Sequence, residues 1–109
     1  MGDLNFKKIF ILFPDPWPKK KHKKRRLINE EFVKDLDKIT LKHSQILIAT
    51  DDEDYSNQIS KSFSKQNSFK LLLKTSDNQI LEDYKIYPTK YFRKAKRENR
   101  RTNFFIYQK

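Results

Sequence analysis

Asp15 stands between two prolines and two aromatics, in the run Phe13-Pro14-Asp15-Pro16-Trp17. An ionised carboxylate only accepts hydrogen bonds, and flat rings stack on flat ligands. With prolines restricting the backbone, such a loop can hold a nucleobase by stacking while Asp15 meets donors at its edge. The plainer reading of the pentapeptide is a proline-rich turn with a core tryptophan. Lys19, Lys20, Lys21, His22, Lys23, Lys24, Arg25 and Arg26 follow directly. A run this dense repels itself unless a polyanion lies nearby, so its place beside the loop points to phosphate. A solvated loop or a nuclear localisation signal has the same composition. His22 reads as one more phosphate or solvent contact, because no partner ligands stand at metal spacing around it. His43 reads as the polar end of a helix. Asp51-Asp52 is the second acidic feature, and either residue could simply cap a helix.

These groups need elements to position them. Lys8 to Phe13 carries a continuous apolar run, as in a strand buried on both faces of a parallel sheet. Pro14, Pro16 and Pro18 end it, and Lys19–Arg26 is a basic loop. Ile28, Phe32, Val33, Leu36 and Ile39 recur at helical spacing, with Asn29 as N-cap and Glu30 and Glu31 at the positive end of the dipole. Gln45–Thr50 is a second strand. Tyr55, Ile59 and Phe63 share one face of a second helix, which either Asp51 or Asp52 can cap. Phe69–Leu73 is a third strand, Thr75–Tyr87 a long connection, and Asn103–Tyr107 a final strand. The basic stretch Tyr91–Arg101 is open between loop and helix. The order strand, helix, strand, helix, strand, strand predicts an α/β fold. In open sheets of that class ligands bind at the carboxyl ends of the parallel strands, where Pro14–Trp17 and Asp51 fall.

The chain has 109 residues, enough for one small domain. It carries 25 Lys and Arg against 14 Asp and Glu, a net charge of +11 that favours a polyanionic partner and nucleic acid first. An anionic membrane fits less well, since no long amphipathic basic helix is evident. There is no cysteine, which removes disulfides and cysteine metal sites. The longest apolar stretch, Ile9 to Phe13, is far too short to cross a bilayer, and no signal peptide is recognisable; the expected location is the cytoplasm.

The residues Phe13-Pro14-Asp15-Pro16-Trp17-Pro18-Lys19-Lys20, then His22, Lys24-Arg25-Arg26-Leu27, Ala49-Thr50-Asp51 and Thr89-Lys90-Tyr91, in this order, resemble the bacterial tRNA (guanine-N7)-methyltransferase family. The resemblance runs from Phe6 to the C-terminus. It implies a tRNA partner and S-adenosylmethionine as cofactor. Position by position, it makes Asp15 the active-site aspartate that touches both cofactor and target, and therefore both a catalytic and a cofactor-binding residue. It makes Lys19 a substrate contact, Lys21, His22, Lys23, Lys24, Arg25 and Arg26 an RNA-contacting stretch, and Asp51 a second substrate-binding residue, where a carboxylate would accept from the N1 and N2 groups of a guanine. Thr89, Lys90 and Tyr91 begin a substrate-binding tetrad, whose closing glutamate is replaced here by Phe92.

Family members are Rossmann-like methyltransferases whose first strand runs into a glycine-rich loop against the cofactor. The single glycine here is Gly2. The expectation is therefore a partial methyltransferase domain over 1–109: the C-terminal half of the sheet, carrying strands four to seven, with the cofactor-binding half absent and the chain alone inactive. A separate N-terminal half, a self-associated copy, or a non-catalytic basic RNA-binding role are the alternatives. The strand Ile9–Phe13 should pair with Ile46–Ile48 on one side and be left as a sheet edge on the other. No metal is expected.

Overall fold

A computed structural model describes residues 7–86, 93 and 101–109. Strand β1 (Lys8–Leu12) leads through a 3₁₀-helix (Lys20–Arg25) to helix α1 (Glu30–Ile39). Strand β2 (Gln45–Thr50), helix α2 (Glu53–Ser64), strand β3 (Lys70–Thr75), helix α3 (Gln79–Asp83) and strand β4 (Asn103–Gln108) follow. The strands form one mixed sheet in the order β1-β2-β4-β3. β1 runs parallel to β2, with Ile9 opposite Ile46 and Ile11 opposite Ile48, as expected from sequence. β4 inserts antiparallel between β2 and β3, and its pairing with β3 shifts register between Leu71 and Leu73.

Alternation along the central strands divides the core in two. Ile46, Ile48, Phe105 and Tyr107 face α1 and α2, where they meet Val33, Leu36, Tyr55, Ile59 and Phe63. Phe63 stacks on Tyr107 with ring centroids 3.9 Å apart. Leu47, Ala49, Phe104 and Ile106 face the other way and are covered by Ile80 of α3, with Leu81, Tyr84 and Ile86 at the margin. The strand buried on both faces is β2, from Ile46 to Thr50, although β1 carries the same kind of apolar run. Phe10 shares the α3 face with Leu47 by register, yet it is 43% exposed and, unlike Leu12, does not pack against the cluster around Ile80. Among the described residues β1 pairs with β2 alone, so it is an edge of the sheet.

Helix α1 begins where expected. The Asn29 side chain accepts from the Phe32 N–H at 2.8 Å, and Glu30 and Glu31 occupy the first turn. Its apolar face is shorter than the spacing suggests, since Ile39, in the last turn, is 79% exposed. The end of α1 is held by Lys109. Its ammonium donates to the carbonyl oxygens of Asp37 and Thr40 and pairs with the Asp37 carboxylate at 3.0 Å. This places a cation at the negative end of the dipole. His43 lies past the helix in the turn to β2, with φ 73° and its N–H bonded to the Lys109 carbonyl. The third strand sits one to two residues later than the sequence reading places it, and the connection beyond it contains α3. Thr89, Lys90, Tyr91 and Phe92 lie outside the described residues.

Candidate functional site

Because β1 and β2 are parallel, both chains leave the sheet at the same end. The Phe13 N–H extends the ladder by one bond, to the Ala49 carbonyl at 2.8 Å. Beyond it the two loops border a cleft of about 280 Å³ lined by Phe13, Pro14, Asp15, Pro16 and Asp51. Asp15 and Asp51, 36 positions apart in sequence, thus line one cavity, at the place where open α/β sheets take ligands.

The carboxylate loop is tightly constrained. Asp15 is exposed and its Oδ1 accepts from the Trp17 N–H at 2.9 Å, a side-chain turn of the kind aspartate favours. Phe13 (φ 54°) and Trp17 (φ 40°) flank it in the left-handed region, which costs non-glycine residues on the order of 1–3 kcal/mol each and persists only where surroundings enforce it. Trp17 is half-buried. The Arg25 guanidinium lies 5.3 Å from its ring centroid and the His22 ring meets it edge-on at 5.7 Å. His22 therefore packs on the tryptophan, a contact that the reading of it as a phosphate or solvent group does not include.

Asp51 and Asp52 divide the two roles that sequence leaves open between them. Asp52 is the N-cap of α2, its Oδ1 accepting from the Tyr55 N–H at 2.8 Å, while Asp51 lines the cleft. Glu53 and Asp54 extend the negative charge through the first turn.

The basic run is wound into the 3₁₀-helix, and this separates its residues by direction. Lys19, Lys20, Lys21, Lys24 and Arg25 are exposed. Lys23 pairs with Asp54 at 2.8 Å. Arg26, expected to contact RNA with the others, points inward and is 2% exposed. Its Nε donates to the Pro16 carbonyl, Nη1 donates to Gln58 Oε1 at 2.8 Å and pairs with Asp54 at 2.9 Å, and the guanidinium lies 4.9 Å from the Tyr55 ring centroid. Nη2 faces Asp52 at 3.9 Å and has no hydrogen-bond partner among the described residues. An uncompensated buried guanidinium is costly, so these contacts explain its direction. Hydrogen bonds from Lys23 and then Arg26 hold the Asp54 carboxyl below its ordinary range.

Three further residues shape the site without any sequence signal that marks them: Asp54, Tyr55 and Gln58. The Tyr55 hydroxyl accepts from the Ile28 N–H at 2.9 Å, and burial raises its pKa. Gln58 donates to the Ile28 carbonyl at 2.8 Å while accepting from Arg26. Helical spacing identifies Tyr55 only as a core position, and nothing distinguishes Gln58 or Asp54 from other polar residues on a solvated face.

Among the described residues no group of His, Asp and Glu could hold a metal ion, and no helix is long and apolar enough to cross a membrane. A sulfonium nucleoside needs backbone that can approach closely, which glycine permits, together with acidic acceptors for its ribose. The described residues contain no glycine, and the cleft offers two carboxylates on proline-stiffened and helix-capping loops. Among the described residues this lining does not fit the nucleoside of such a cofactor.

The family described as "Putative methyltransferase" matches residues 1–105. The tRNA (guanine-N(7)-)-methyltransferase of Wolbachia pipientis wMel is 43% identical over 103 residues, 94% of this chain and 43% of that protein. The enzyme of the same name from Leptospira interrogans serovar copenhageni is 33% identical over 104 residues, covering 93% of this chain and 45% of its own length. A bifunctional methyltransferase of Rickettsia felis is 36% identical over 100 residues, 92% of this chain and 19% of that protein. The chain therefore spans less than half the length of these curated relatives. With a family model matched along nearly its whole length, and with Asp15 and Asp51 brought to one cleft beside a basic helix, this chain belongs to the tRNA (guanine-N7)-methyltransferase family.

Proposed function

We propose that these residues form the target-base and tRNA-binding half of a tRNA (guanine-N7)-methyltransferase, with the sheet as the C-terminal half of a Rossmann-like domain. The observation that carries this reading is the shared cleft of Asp15 and Asp51, continuous in sequence with the outward cations Lys19, Lys20, Lys21, Lys24 and Arg25. Asp51 accepts from the N1 and N2 groups of a variable-loop guanine, and the outward cations hold the flanking phosphates. Thr89, Lys90 and Tyr91 are assigned to the same substrate by the family resemblance alone.

S-adenosylmethionine supplies the methyl group. Guanine N7 carries a free lone pair, so no proton has to be removed before it attacks. The work left to the protein is alignment, which can lower a barrier by ~7–11 kcal/mol. Asp15 orients the base and favours the positive charge that develops on the purine, and it is a positioner and electrostatic partner more than a general base. We propose that the rest of the cofactor site lies outside residues 1–109, so that these residues alone are inactive, and that the protein acts in the cytoplasm.

The test is tRNA binding against salt. If about four of the outward cations meet phosphates, log K falls against log salt with a slope near −3, and replacing Lys20, Lys21 and Lys24 with Ala reduces it by about 2–3. A slope unchanged in that variant moves the RNA surface elsewhere in the chain. A second reading, a non-catalytic tRNA-binding module, draws on the glycine-free cleft. Methyl transfer to tRNA on adding the N-terminal half of a relative excludes it, and tRNA binding with no transfer under those conditions supports it.

A further inference from the structure

We propose that Arg26 is the positioning residue of this site, a buried fork that locks the Asp15 loop to helix α2 and does not itself meet phosphate. The inference rests on the tRNA reading for what the site does; the fork stands on its own geometry.

Arg26 is 2% exposed at the end of a run whose other cations are exposed or half-exposed. Its guanidinium joins two segments. Nε holds the carbonyl of Pro16, the residue between Asp15 and Trp17, while Nη1 holds Gln58 and Asp54 of α2. Gln58 and Tyr55, on one face of α2, also take the carbonyl and the N–H of Ile28 at 2.8 and 2.9 Å. Two side chains of one helix thus grip the chain at 26 and 28 while Arg26 reaches on to 16. The gripped loop is the segment that needs outside support, because left-handed Phe13 and Trp17 bracket it. An internal bond from Trp17 N–H to Asp15 sets the carboxylate within the loop, and the Pro16–Arg26 bond sets the loop against α2, whose N-cap region contributes Asp51 to the cleft. For Arg26 to reach a phosphate, this fork would have to open. Lysine cannot replace it, since an ammonium is a point charge without the planar fork that serves two segments at once.

Trp17 is the chain's one tryptophan and lies in the gripped loop, so its fluorescence reports the lock directly. The experiment compares the full chain with Arg26→Lys, Arg26→Gln and Gln58→Leu. It measures helix content by circular dichroism, Trp17 emission and acrylamide quenching, and tRNA binding against salt. The expected result is a red shift and stronger quenching in Arg26→Lys, which keeps the charge, and in Gln58→Leu, which touches no cation of the outward set, with helix content kept. Unmoved Trp17 emission in Arg26→Lys, with the Arg26→Gln salt slope reduced by one contact, ~0.7–0.9, would make Arg26 a phosphate ligand and overturn the proposal. If the Arg26 variants fail to fold, Gln58→Leu decides, and an unchanged Trp17 there overturns it. A wild-type chain that binds no tRNA sinks the tRNA reading and leaves the Trp17 comparison standing.

Discussion

Lys23 and Arg26 converge on one carboxylate, Asp54, from the exposed and the buried side of the basic turn. The hydrogen bond from Lys23, and after it that from Arg26, lowers the Asp54 pKa. A depressed folded-state value means the stabilisation is present above the ordinary carboxylate pKa, ~3.9, and is lost as pH falls through the lowered value. A carboxyl carbon-13 titration should therefore place the Asp54 midpoint below the ordinary range, and Lys23→Ala should move it upward. An unshifted midpoint in both proteins would remove the pair. At this scale sequence identified Asp15 and Asp51 as partners in one place, because the ends of parallel strands are fixed by topology. It did not separate Arg26 from its neighbours. Seven other cationic or imidazole side chains precede it in the run, and which one turns inward depends on the 3₁₀ winding and on acceptors 28 and 32 positions away.

The elements follow local chemistry closely where a cap or a run is unambiguous. Asn29 starts α1 and Asp52 starts α2 through side-chain bonds of 2.8 Å each. Removing the latter by Asp52→Ala should cost about 1 kcal/mol, read as a lower urea midpoint with unchanged m-value. A larger loss would show that the Nη2 contact of Arg26 also matters. Elements without such signals were less legible. The N-cap of the short helix α3, Asn78, makes no side-chain bond, its first N–H going instead to the Asp77 carboxylate, and β3 exposes Leu71, Leu72 and Leu73 at 45% each, so neither composition nor periodicity fixes their limits. In β4, burial pushes the Tyr107 hydroxyl up to about 12, against a smaller opposing pull from Ser60. A raised value means that stability is full below the unfolded pKa, ~10, and falls as pH rises through the folded one. The chain should weaken between about pH 10 and 12, and Tyr107→Phe should flatten that limb of a stability profile.

For the whole molecule, a net charge of +11 works against an apolar margin. β1 offers an unpaired edge among the described residues, with Phe10 43% exposed on it and no proline within the strand. Charge repulsion holds copies apart at low ionic strength and is screened within ~10 Å at 0.1 M salt. A polypeptide of these 109 residues should therefore self-associate increasingly as salt is raised, in light scattering, and Phe10→Lys should suppress this. A wild-type chain that stays monomeric at high salt, with amide protection on both sides of Ile11, would show the edge covered by another segment. The edge position of β1 was legible from the strand order that the family resemblance implies. The exposure of Phe10 was not, because an apolar run does not say which of its faces a helix will cover.

The sheet order also sets the order in which this protein can be built. β4 is last of the four strands in sequence and lies between β2 and β3. During synthesis on the ribosome, β1 and β2 can pair as soon as α1 and α2 are available to cover them. β3 has no neighbour until residues 103–108 emerge, and Leu71-Leu72-Leu73 waits through the making of everything between. The flanking Lys70 and Lys74 place charge on both sides of that apolar run, where natural sequences station residues that discourage misassembly. The nascent chain therefore passes through a stage in which the β1–β2 end of the sheet can already form while its β3 edge is still open, and that interval is when a chaperone would find the most to hold.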